Sequence, residues 1–287
     1  GFIVVSREDD PAEVAHRVEY PCVLKPLALS ASRGVIRADD PAGFATAFYR
    51  IGRILNDAYA GSLAGTGDYI LVEDYIPGTE VALEGLLDRG QLSVLALFDK
   101  PDPLQGPFFE ETIYVTPSRL PAGVQHAVTT ATARAVTALG LHDGPIHAEL
   151  RIDEKGPVII ELAARSIGGL CSRVLRFGVG IPLEELILRH ALRLPIESLE
   201  RESRPAGVMM IPIPRAGWLR QVRGLEGARS VPGIEDVTIT IPLGHEVVPL
   251  PEGNKYLGFV FARERTPQKV EAALRAAHSR LEFVIDP

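Results

Sequence analysis

The stretch HAELRIDEKGPVIIELAAR, residues His147 to Arg165, carries two glutamates, Glu149 and Glu161, on either side of a predicted tight turn. In the first arm apolar and polar residues alternate, as in a strand with one buried face. Its polar positions are His147, Glu149 and Arg151. The second arm alternates in the same way and places Glu161 and Ala163 opposite its apolar residues. With the sequence DEKG between the arms, the stretch predicts an antiparallel hairpin.

The register of this hairpin follows if the apolar residues of both arms share one core face. The predicted pairs are Ile152 with Val158, Leu150 with Ile160, and Glu149 with Glu161. Directly opposed residues have Cβ atoms roughly 4.5–5.5 Å apart, where like charges are destabilising. Three explanations remain open: a shared divalent cation such as Mg2+, a shared proton, or two solvated carboxylates on an exposed sheet face.

Three other segments carry groups that suit a nucleotide. Lys25 interrupts the apolar strand PCVLKP, where a lysine is rare without a partner, so we expect an anion beside it. The SASRG sequence that follows offers backbone N–H groups, hydroxyls and a guanidinium for phosphates; an ordinary polar turn is the alternative. The segment VEDYIPGTE places Glu73 and Asp74 at a break between two predicted strands, with Glu80 shortly after. Hinge backbone there suits an adenine edge, and a nearby carboxylate suits ribose hydroxyls.

The composition is that of a globular protein with a modest acidic excess. The 287 residues are 46% hydrophobic and 23% charged, and the formal net charge of -7 argues against nonspecific nucleic-acid binding. Cys22 and Cys171 are the only cysteines and form no metal or disulfide motif, which favours a reducing, cytoplasmic setting. No apolar run reaches the roughly 18 residues of a membrane span. The opening sequence GFIVVS reads as a strand already under way, so we expect a missing N-terminal part.

Strand-like and helix-like segments alternate along the chain, which predicts an α+β fold. Apolar residues at helical spacing predict a helix from Gly123 to Leu139, ended by Gly140. Residues 167–192 predict two further helices. The polar segment ESLERESRP indicates a boundary near residue 200, followed by a second α+β lobe. The glycines of residues 61–67 do not have the spacing of a dinucleotide fingerprint, so this segment is predicted to be a loop.

Taken in chain order, YPCVLKP, SASRGV, LVEDYIPGTE, HAE and IIELAAR resemble the ATP-grasp family of carboxylate–amine ligases. Within that family, FDKPDPLQGPFFEET and the segment beginning PAGVMMIPIPRAGWL are most similar to L-amino-acid ligases, which join two amino acids into a dipeptide. The resemblance implies an ATP-grasp fold in which two α+β subdomains clasp ATP. Residues 1–72 would carry the phosphate loop, residues 73–200 the metal site, and residues 201–287 would form a small C-terminal α+β lobe.

The resemblance also implies a role for each candidate residue. Lys25 would meet the α-phosphate and adenine, and a loop containing Ser30, Ser32, Arg33 and Gly34 would cover the β- and γ-phosphates. The backbone of Asp74 and Ile76 would hold adenine beside the Glu73 side chain, and Glu80 would bind the ribose. Glu149 and Glu161 would hold Mg2+, or Mn2+ in its place. Arg165 would face the transferred phosphoryl group, with Glu111 and His147 as candidates to assist.

Two departures from the family pattern bear on this interpretation. Many members have Asn two residues after the second metal-binding glutamate, where this chain has Ala163. The family also carries an N-terminal domain and a further phosphate-binding lysine ahead of the point where this chain starts. The alternatives are a carboxylase of the biotin-carboxylase type, which activates bicarbonate, and an ATP-binding module that has lost turnover. The implied partners are small carboxylate and amine substrates, with a homodimer left open.

Overall fold

The computed structural model describes residues 1–59 and 67–287, so most of the predicted loop at 61–67 lies outside the described residues. Helices and antiparallel sheets are mixed along the chain, which confirms the α+β class. None of the described helices combines the length and the apolar character needed to cross a membrane.

Residues 2–74 form a small layer of one sheet and two helices. Its strands are β1 (Phe2–Ser6), β2 (Cys22–Pro26), β3 (Ile36–Ala38) and β4 (Tyr69–Asp74), in the spatial order β1-β4-β2-β3. The helices are α1 (Pro11–Ala15) and α2 (Pro41–Ala58). Helix α2 begins where the carboxylate of Asp40 accepts a hydrogen bond from the Gly43 N–H at 2.7 Å, which satisfies a free N–H of the first turn. Its Phe44, Phe48 and Ile51 are buried against the sheet.

The second layer is built on an eight-stranded antiparallel sheet with the order β14-β16-β12-β7-β6-β5-β8-β9. Five neighbouring strands of this sheet are β5 (Thr79–Asp88), β6 (Gln91–Asp99), β7 (Ile113–Thr116), β8 (Gly144–Asp153) and β9 (Gly156–Ala163). The predicted helix is confirmed as α3 (Ala122–Ala138), with Gly140 beyond its end at a φ of 67°. It covers one face of the sheet, where Val128 and Val136 pack against Leu83 and Leu150.

Of the two helices predicted at residues 167–192, the second is confirmed as an α-helix, and the first is only a four-residue 3-10 helix. Only the second half is an α-helix, α4 (Leu183–Ala191), while a 3-10 turn at Cys171–Val174 precedes a small hairpin of β10 (Arg176–Phe177) and β11 (Ile181–Pro182). Gly178 and Gly180 adopt φ values of 51° and 99°, conformations that glycine adopts readily and that end a helix. The apolar residues on either side therefore pack as a hairpin and a turn.

The remaining strands and helices lie in the C-terminal part. They are β12 (Ala206–Ile211), β13 (Gly217–Arg223), α5 (Leu225–Arg229), β14 (Ile234–Ile239), β15 (Glu246–Val247), β16 (Gly258–Arg263), α6 (Pro267–His278) and β17 (Glu282–Asp286). Strand β12 pairs with both β7 and β16. The large sheet therefore contains strands from both sides of the boundary predicted near residue 200. The division of the chain into domains at that residue stays a prediction.

The hairpin of β8 and β9 confirms the pairing of Glu149 with Glu161, but the rest of the predicted register is wrong. Leu150 lies opposite Ile159, and Ile152 lies opposite Pro157. The two-residue turn between Asp153 and Gly156 sets the pairing from Asp153 to Leu150. Beyond Leu150, a β-bulge leaves Ile160 without an opposite residue and shifts the pairing by one residue. Val158 is consequently 39% exposed instead of buried. The bulge restores the glutamate pair that the apolar pattern predicted.

Gly78 lies at the junction of β4 and β5, where the chain passes from the small layer to the large sheet. Its φ is 109°, and an added Cβ would lie 2.1 Å from the carbonyl oxygen of Ile152. We expect Gly78→Ala to lower the free energy of unfolding by about 3 kcal/mol, because backbone strain and a steric clash add together. Urea denaturation would measure the change.

Gly156 provides the matched control for this substitution. Its φ is 115°, yet an added Cβ there meets nothing within 4 Å. Gly156→Ala should therefore cost only the backbone strain, about 1 kcal/mol. Equal losses in the two variants would contradict the role assigned to the close approach of Ile152.

Candidate functional site

A cleft of about 320 Å³ lies between the small sheet and the large one, within the usual size range of ligand pockets. Both layers contribute to its lining. The small layer supplies Lys25, Ser30, Ser32, Arg33, Glu73 and Asp74, and the large one supplies Ile76, Glu80, Glu111, Glu149 and Glu161. The structure thus brings eleven of the fourteen candidate residues into one cavity, with Gly34, His147 and Arg165 as the exceptions.

Lys25 has the anionic partner that its place in an apolar strand predicts, and this partner is Glu73. Strands β2 and β4 pair Val23 with Glu73, so Lys25, two residues further on, extends over the same face. Its Nζ lies 2.5 Å from Glu73 Oε2 and 3.5 Å from the carbonyl oxygen of Ile160, the bulged residue. The ammonium therefore stands at the cleft between a carboxylate of one layer and a carbonyl of the other.

The phosphate loop, residues 30–34, presents Ser30, Ser32 and Arg33 to the cleft but turns Gly34 away from it. The Gly34 N–H, expected to serve a phosphate, donates instead to the carbonyl of Pro251 at 2.9 Å. A Cβ at Gly34 would lie 2.6 Å from Cγ of Pro26, at a φ of 74°. Glycine at this position thus serves a close approach of the loop to β2.

The break between β4 and β5 forms the end of the cleft assigned to adenine. Asp74 and Ile76 line it, while the Asp74 N–H donates to the Gly1 carbonyl and the Ile76 carbonyl accepts from Arg151 Nη1 at 2.9 Å. Tyr75 and Phe109 stack there with ring centroids 6.5 Å apart. Aromatic faces suit a purine ring, and the contacts with adenine stay a prediction.

Lys100, which the sequence analysis missed, does not line the cleft itself but contacts three glutamates that do. It follows strand β6, and its side chain is 3% exposed. Its Nζ lies 2.7 Å from Glu80 Oε1 and 3.0 Å from Glu149 Oε1, and it also donates to Glu111. The sequence signal was a lysine directly after the apolar run LSVLALFD, the same signal that identified Lys25.

The three glutamates around Lys100 are held by further contacts. Arg151 donates from Nε to Glu80 Oε2 at 2.9 Å. The hydroxyl of Tyr114 donates to Glu111 at 2.7 Å and lies 3.3 Å from Glu149. In the described part of the chain, oxygens of these three carboxylates lie within 4.8 Å of one another. The structure therefore adds Glu80 and Glu111 to the group around Glu149.

The alternation of β8 predicts His147 on the polar face with Glu149 and therefore at the cleft. His147 does share that face with Glu149, but it does not line the cleft, and its assisting role stays a prediction. Its ring is buried, with Nδ1 hydrogen-bonded to Glu84 and Nε2 3.2 Å from Glu149 Oε1. Burial alone would lower its pKa, but the bonds to Glu149 and Glu84 raise that pKa to about 10. The imidazolium thus positions Glu149. Glu84, also missed by the sequence analysis, neutralises it.

The network combines four acidic side chains with three cationic ones. Four carboxylates, those of Glu80, Glu84, Glu111 and Glu149, face three cations, those of Lys100, Arg151 and His147. Burial and then Glu149 raise the pKa of Glu111 to about 7. Burial would also raise the pKa of Glu149, but Lys100 and His147 hold it well below its ordinary value. Because Mg2+ prefers hard carboxylate oxygens, Glu111 and Glu149 are suitable ligands for this ion.

Glu161 and Arg165 lie at the open side of the cleft. The Glu161 side chain is 55% exposed and lines the cleft. The Arg165 side chain is 48% exposed, 3.6 Å from Glu161, and does not line the cleft. Ala163, at the position of the family's asparagine, lies opposite His147 in the hairpin. The roles of Arg165 at the phosphoryl group and of Glu161 at the metal stay predictions.

A second group of metal-compatible side chains among the described residues lies away from the cleft, at the far end of β5. It consists of Asp88, Asp143 and His190. Arg193 donates to both carboxylates, at 2.8 and 2.9 Å. Unlike the glutamates around Lys100, Asp88 and Asp143 are exposed and do not line the cleft.

Two family models match this chain. Residues 18–174, more than half of the chain, match the model described as the ATP-grasp domain. Residues 209–286 match the model described as L-amino acid ligase C-terminal domain 2. The second match covers most of the predicted C-terminal lobe, and the pair reproduces the order of motifs in the sequence.

Solved structures and curated proteins that are similar to this chain include ligases and a synthase. The crystal structure of L-amino acid ligase from Bacillus licheniformis is similar with a TM-score of 0.80 and 29% identity, over 100% of this chain and 69% of that one. Carnosine synthase 1 of Gallus gallus is 30% identical over 56% of this chain and 18% of the relative. Alanine–anticapsin ligase of Bacillus subtilis (strain 168) is 24% identical over 64% of this chain and 41% of the relative. The chain spans 55% or less of each of these curated relatives' length.

Proposed function

Because this chain belongs to the ATP-grasp family, we propose that it is an ATP-dependent ligase that joins the carboxylate of one amino acid to the amine of another. The observation that carries the proposal is the cleft itself. Cationic and hydroxyl groups of the phosphate loop lie on one side of it, and the carboxylates of Glu80, Glu111 and Glu149 lie on the other. That arrangement suits a nucleotide triphosphate together with a divalent cation.

The residues of the cleft divide the work between binding and positioning. Lys25 and Arg33 would neutralise phosphate oxygens, and Ser30 and Ser32 would donate hydrogen bonds to them. Glu149, with Glu161 and Glu111 as further ligands, would hold Mg2+, which supplies charge neutralisation at the phosphates. Mn2+ prefers the same oxygen ligands and is expected to replace it. Tyr75 and Phe109 would cover the adenine ring.

The proposed chemistry requires no covalent intermediate on the protein. A substrate carboxylate attacks the γ-phosphorus of ATP and forms an acyl phosphate as ADP leaves. A substrate amine then attacks the acyl carbon, loses a proton and displaces inorganic phosphate to give the amide. Lys100 stands where it can neutralise charge next to Glu80, Glu111 and Glu149, and catalysis of this kind rests on positioning and electrostatics. Arg165 is proposed to turn towards the phosphoryl group.

The amino-acid substrates are favoured over bicarbonate by the C-terminal part of the chain. Residues 209–286 match an L-amino acid ligase domain, and the name of the relative alanine–anticapsin ligase gives an amino acid, alanine, as one of the molecules that it joins. We further propose a reducing, cytoplasmic location, which is supported by two cysteines that are buried and free. A homodimer stays a prediction.

The test is ADP release by the complete gene product in the presence of ATP and Mg2+. Single amino acids and all pairs from a standard panel are supplied, and the products are analysed by mass spectrometry. We expect ADP release that depends on an amino acid, with a dipeptide as product. ADP release stimulated by bicarbonate, or ATP binding without turnover under any mixture, would contradict the ligase and support one of the two alternatives.

A further inference from the structure

A turn of the C-terminal lobe, residues 249–253, reaches across the molecule to the phosphate loop. The carbonyl of Pro251 accepts the hydrogen bond from the Gly34 N–H at 2.9 Å. The carbonyl of Glu252 accepts one from Arg33 Nε at 2.7 Å. These bonds join residues more than 200 positions apart in the chain. Two consecutive residues of the phosphate loop are thus attached to two consecutive carbonyls of a distant turn.

The same turn is anchored to helix α2 by an ion pair. Arg50 donates to both carboxylate oxygens of Glu252, at 2.6 and 3.0 Å. These hydrogen bonds lower the pKa of Glu252, and a two-point contact of this kind fixes orientation as well as distance. Pro251 is buried, and Gly253 closes the turn by donating to the Pro249 carbonyl at 2.8 Å. The ion pair of Glu252 therefore helps to fix the position of the two accepting carbonyls, together with Pro251 and Gly253.

Apart from the hydrogen bond that the Val35 N–H donates to the Ser32 carbonyl at 3.1 Å, the phosphate loop has little local support. Ala31 and Ser32 adopt φ values of 58° and 54°, a left-handed conformation that costs free energy for residues other than glycine and persists only where the surroundings enforce it. Within the loop, Arg33 N–H donates to the Ser30 carbonyl at a long 3.3 Å. The contacts with the turn supply a constraint from outside.

The strand that follows the loop is held by a different segment. The Arg37 N–H donates to the Pro107 carbonyl at 2.9 Å, and Arg37 Nη1 donates to the Gln105 carbonyl at 2.9 Å. That attachment fixes β3 to the connection between β6 and β7. The C-terminal turn, in contrast, is hydrogen-bonded to the phosphate loop itself.

Building on the ATP site proposed above, we propose that residues 249–253 are a latch by which the C-terminal lobe holds the phosphate loop over the nucleotide, with Glu252 as the positioning residue. With the latch in place, Ser30 and Ser32 face the cleft before ATP arrives, so less order has to be gained on binding. Loosening the latch weakens ATP binding. It has a smaller effect on the chemical step, because the ordered loop is the same once ATP is bound.

Glu252→Gln tests the latch by two measurements on the complete protein. Hydrogen exchange without nucleotide is expected to become at least about three-fold faster at the amides of residues 30–34, because the ion pair that fixes the turn is lost. In steady-state ADP release, the KM for ATP is expected to rise about 3- to 10-fold while kcat changes less than about two-fold. Arg50→Ala should give the same pattern, and the double variant should be no worse than the more affected single one.

Glu282→Gln is the matched control. It removes another ion pair of the C-terminal lobe, with Arg223 at 3.1 Å, far in the fold from the loop, and should leave both measurements unchanged. Unchanged exchange at residues 30–34 in Glu252→Gln would overturn the latch, as would a fall in kcat with an unchanged KM. Failure of the ligase assignment looks different. The wild type would then release no ADP, while the exchange measurement, made without ATP, would still decide the latch.

Discussion

Replacing Lys100 by methionine is expected to lower the free energy of unfolding by about 3–5 kcal/mol, the range for removing one partner of a buried charge group. Methionine keeps an unbranched apolar chain but lacks the ammonium. Oxygens of Glu80, Glu111 and Glu149, which lie within 4.8 Å of one another, would then face each other without the cation that contacts all three. Their mutual repulsion in a buried site is the physical cause.

Urea denaturation at neutral pH would measure this loss, with Lys155→Met as the control. Lys155 lies in the exposed turn of the β8–β9 hairpin, where removal of a charge should change stability by less than about 0.5 kcal/mol. A loss below about 1 kcal/mol for Lys100→Met would show that the carboxylates do not depend on the ammonium. The inference that Lys100 neutralises Glu80, Glu111 and Glu149 would then be wrong.

Glu161→Gln is expected to reduce amino-acid-dependent ADP release by about 10²-fold or more, the scale of losing one preorganised electrostatic group. The amide keeps the size of the side chain but removes the negative charge expected to bind Mg2+. Because the Glu161 side chain is 55% exposed, the substitution should leave the free energy of unfolding nearly unchanged. A fall in activity would therefore report on function and not on folding.

The measurement is ADP release as a function of Mg2+ concentration. Glu154→Gln is the control, because Glu154 is an exposed glutamate in the turn of the same hairpin and should keep full activity. Glu149→Gln should be at least as impaired as Glu161→Gln, with a loss of stability in addition, because His147 and Lys100 lose a charged partner. Full activity of Glu161→Gln at low Mg2+ would contradict the assignment of this residue to the metal.

The hairpin shows how far local pattern carries. Alternation of apolar and polar residues correctly placed Glu149 opposite Glu161, because side chains along a strand point to alternate faces. The same alternation gave the wrong partners for Leu150 and Ile152. A bulge shifts the pairing of one strand against the other by one residue, and the pattern of apolar and polar residues does not show where it occurs. Only the geometry of the neighbouring turn reveals it.

The site shows where the pattern stops. Lys25 and the phosphate loop stood out because they interrupt or follow an apolar strand, and the structure places Lys25, Ser30, Ser32 and Arg33 at the cleft. Lys100 has the same local signal, yet its importance comes from three carboxylates on β5, β8 and the segment before β7. His147 was assigned to the cleft by parity, but Glu84 on the neighbouring strand holds it in the interior.

The sequence by itself determined the α+β class, the helix α3, the glutamate pair and the order of motifs that identifies the family. Each of these follows from residues that are close together in the chain, where spacing fixes geometry. Only the tertiary structure decided which charges meet around Lys100 and that Glu252 reaches Arg50 on helix α2. Such contacts join segments far apart in sequence, and their energy depends on burial and on exact partners, which appear when the sheets close on each other.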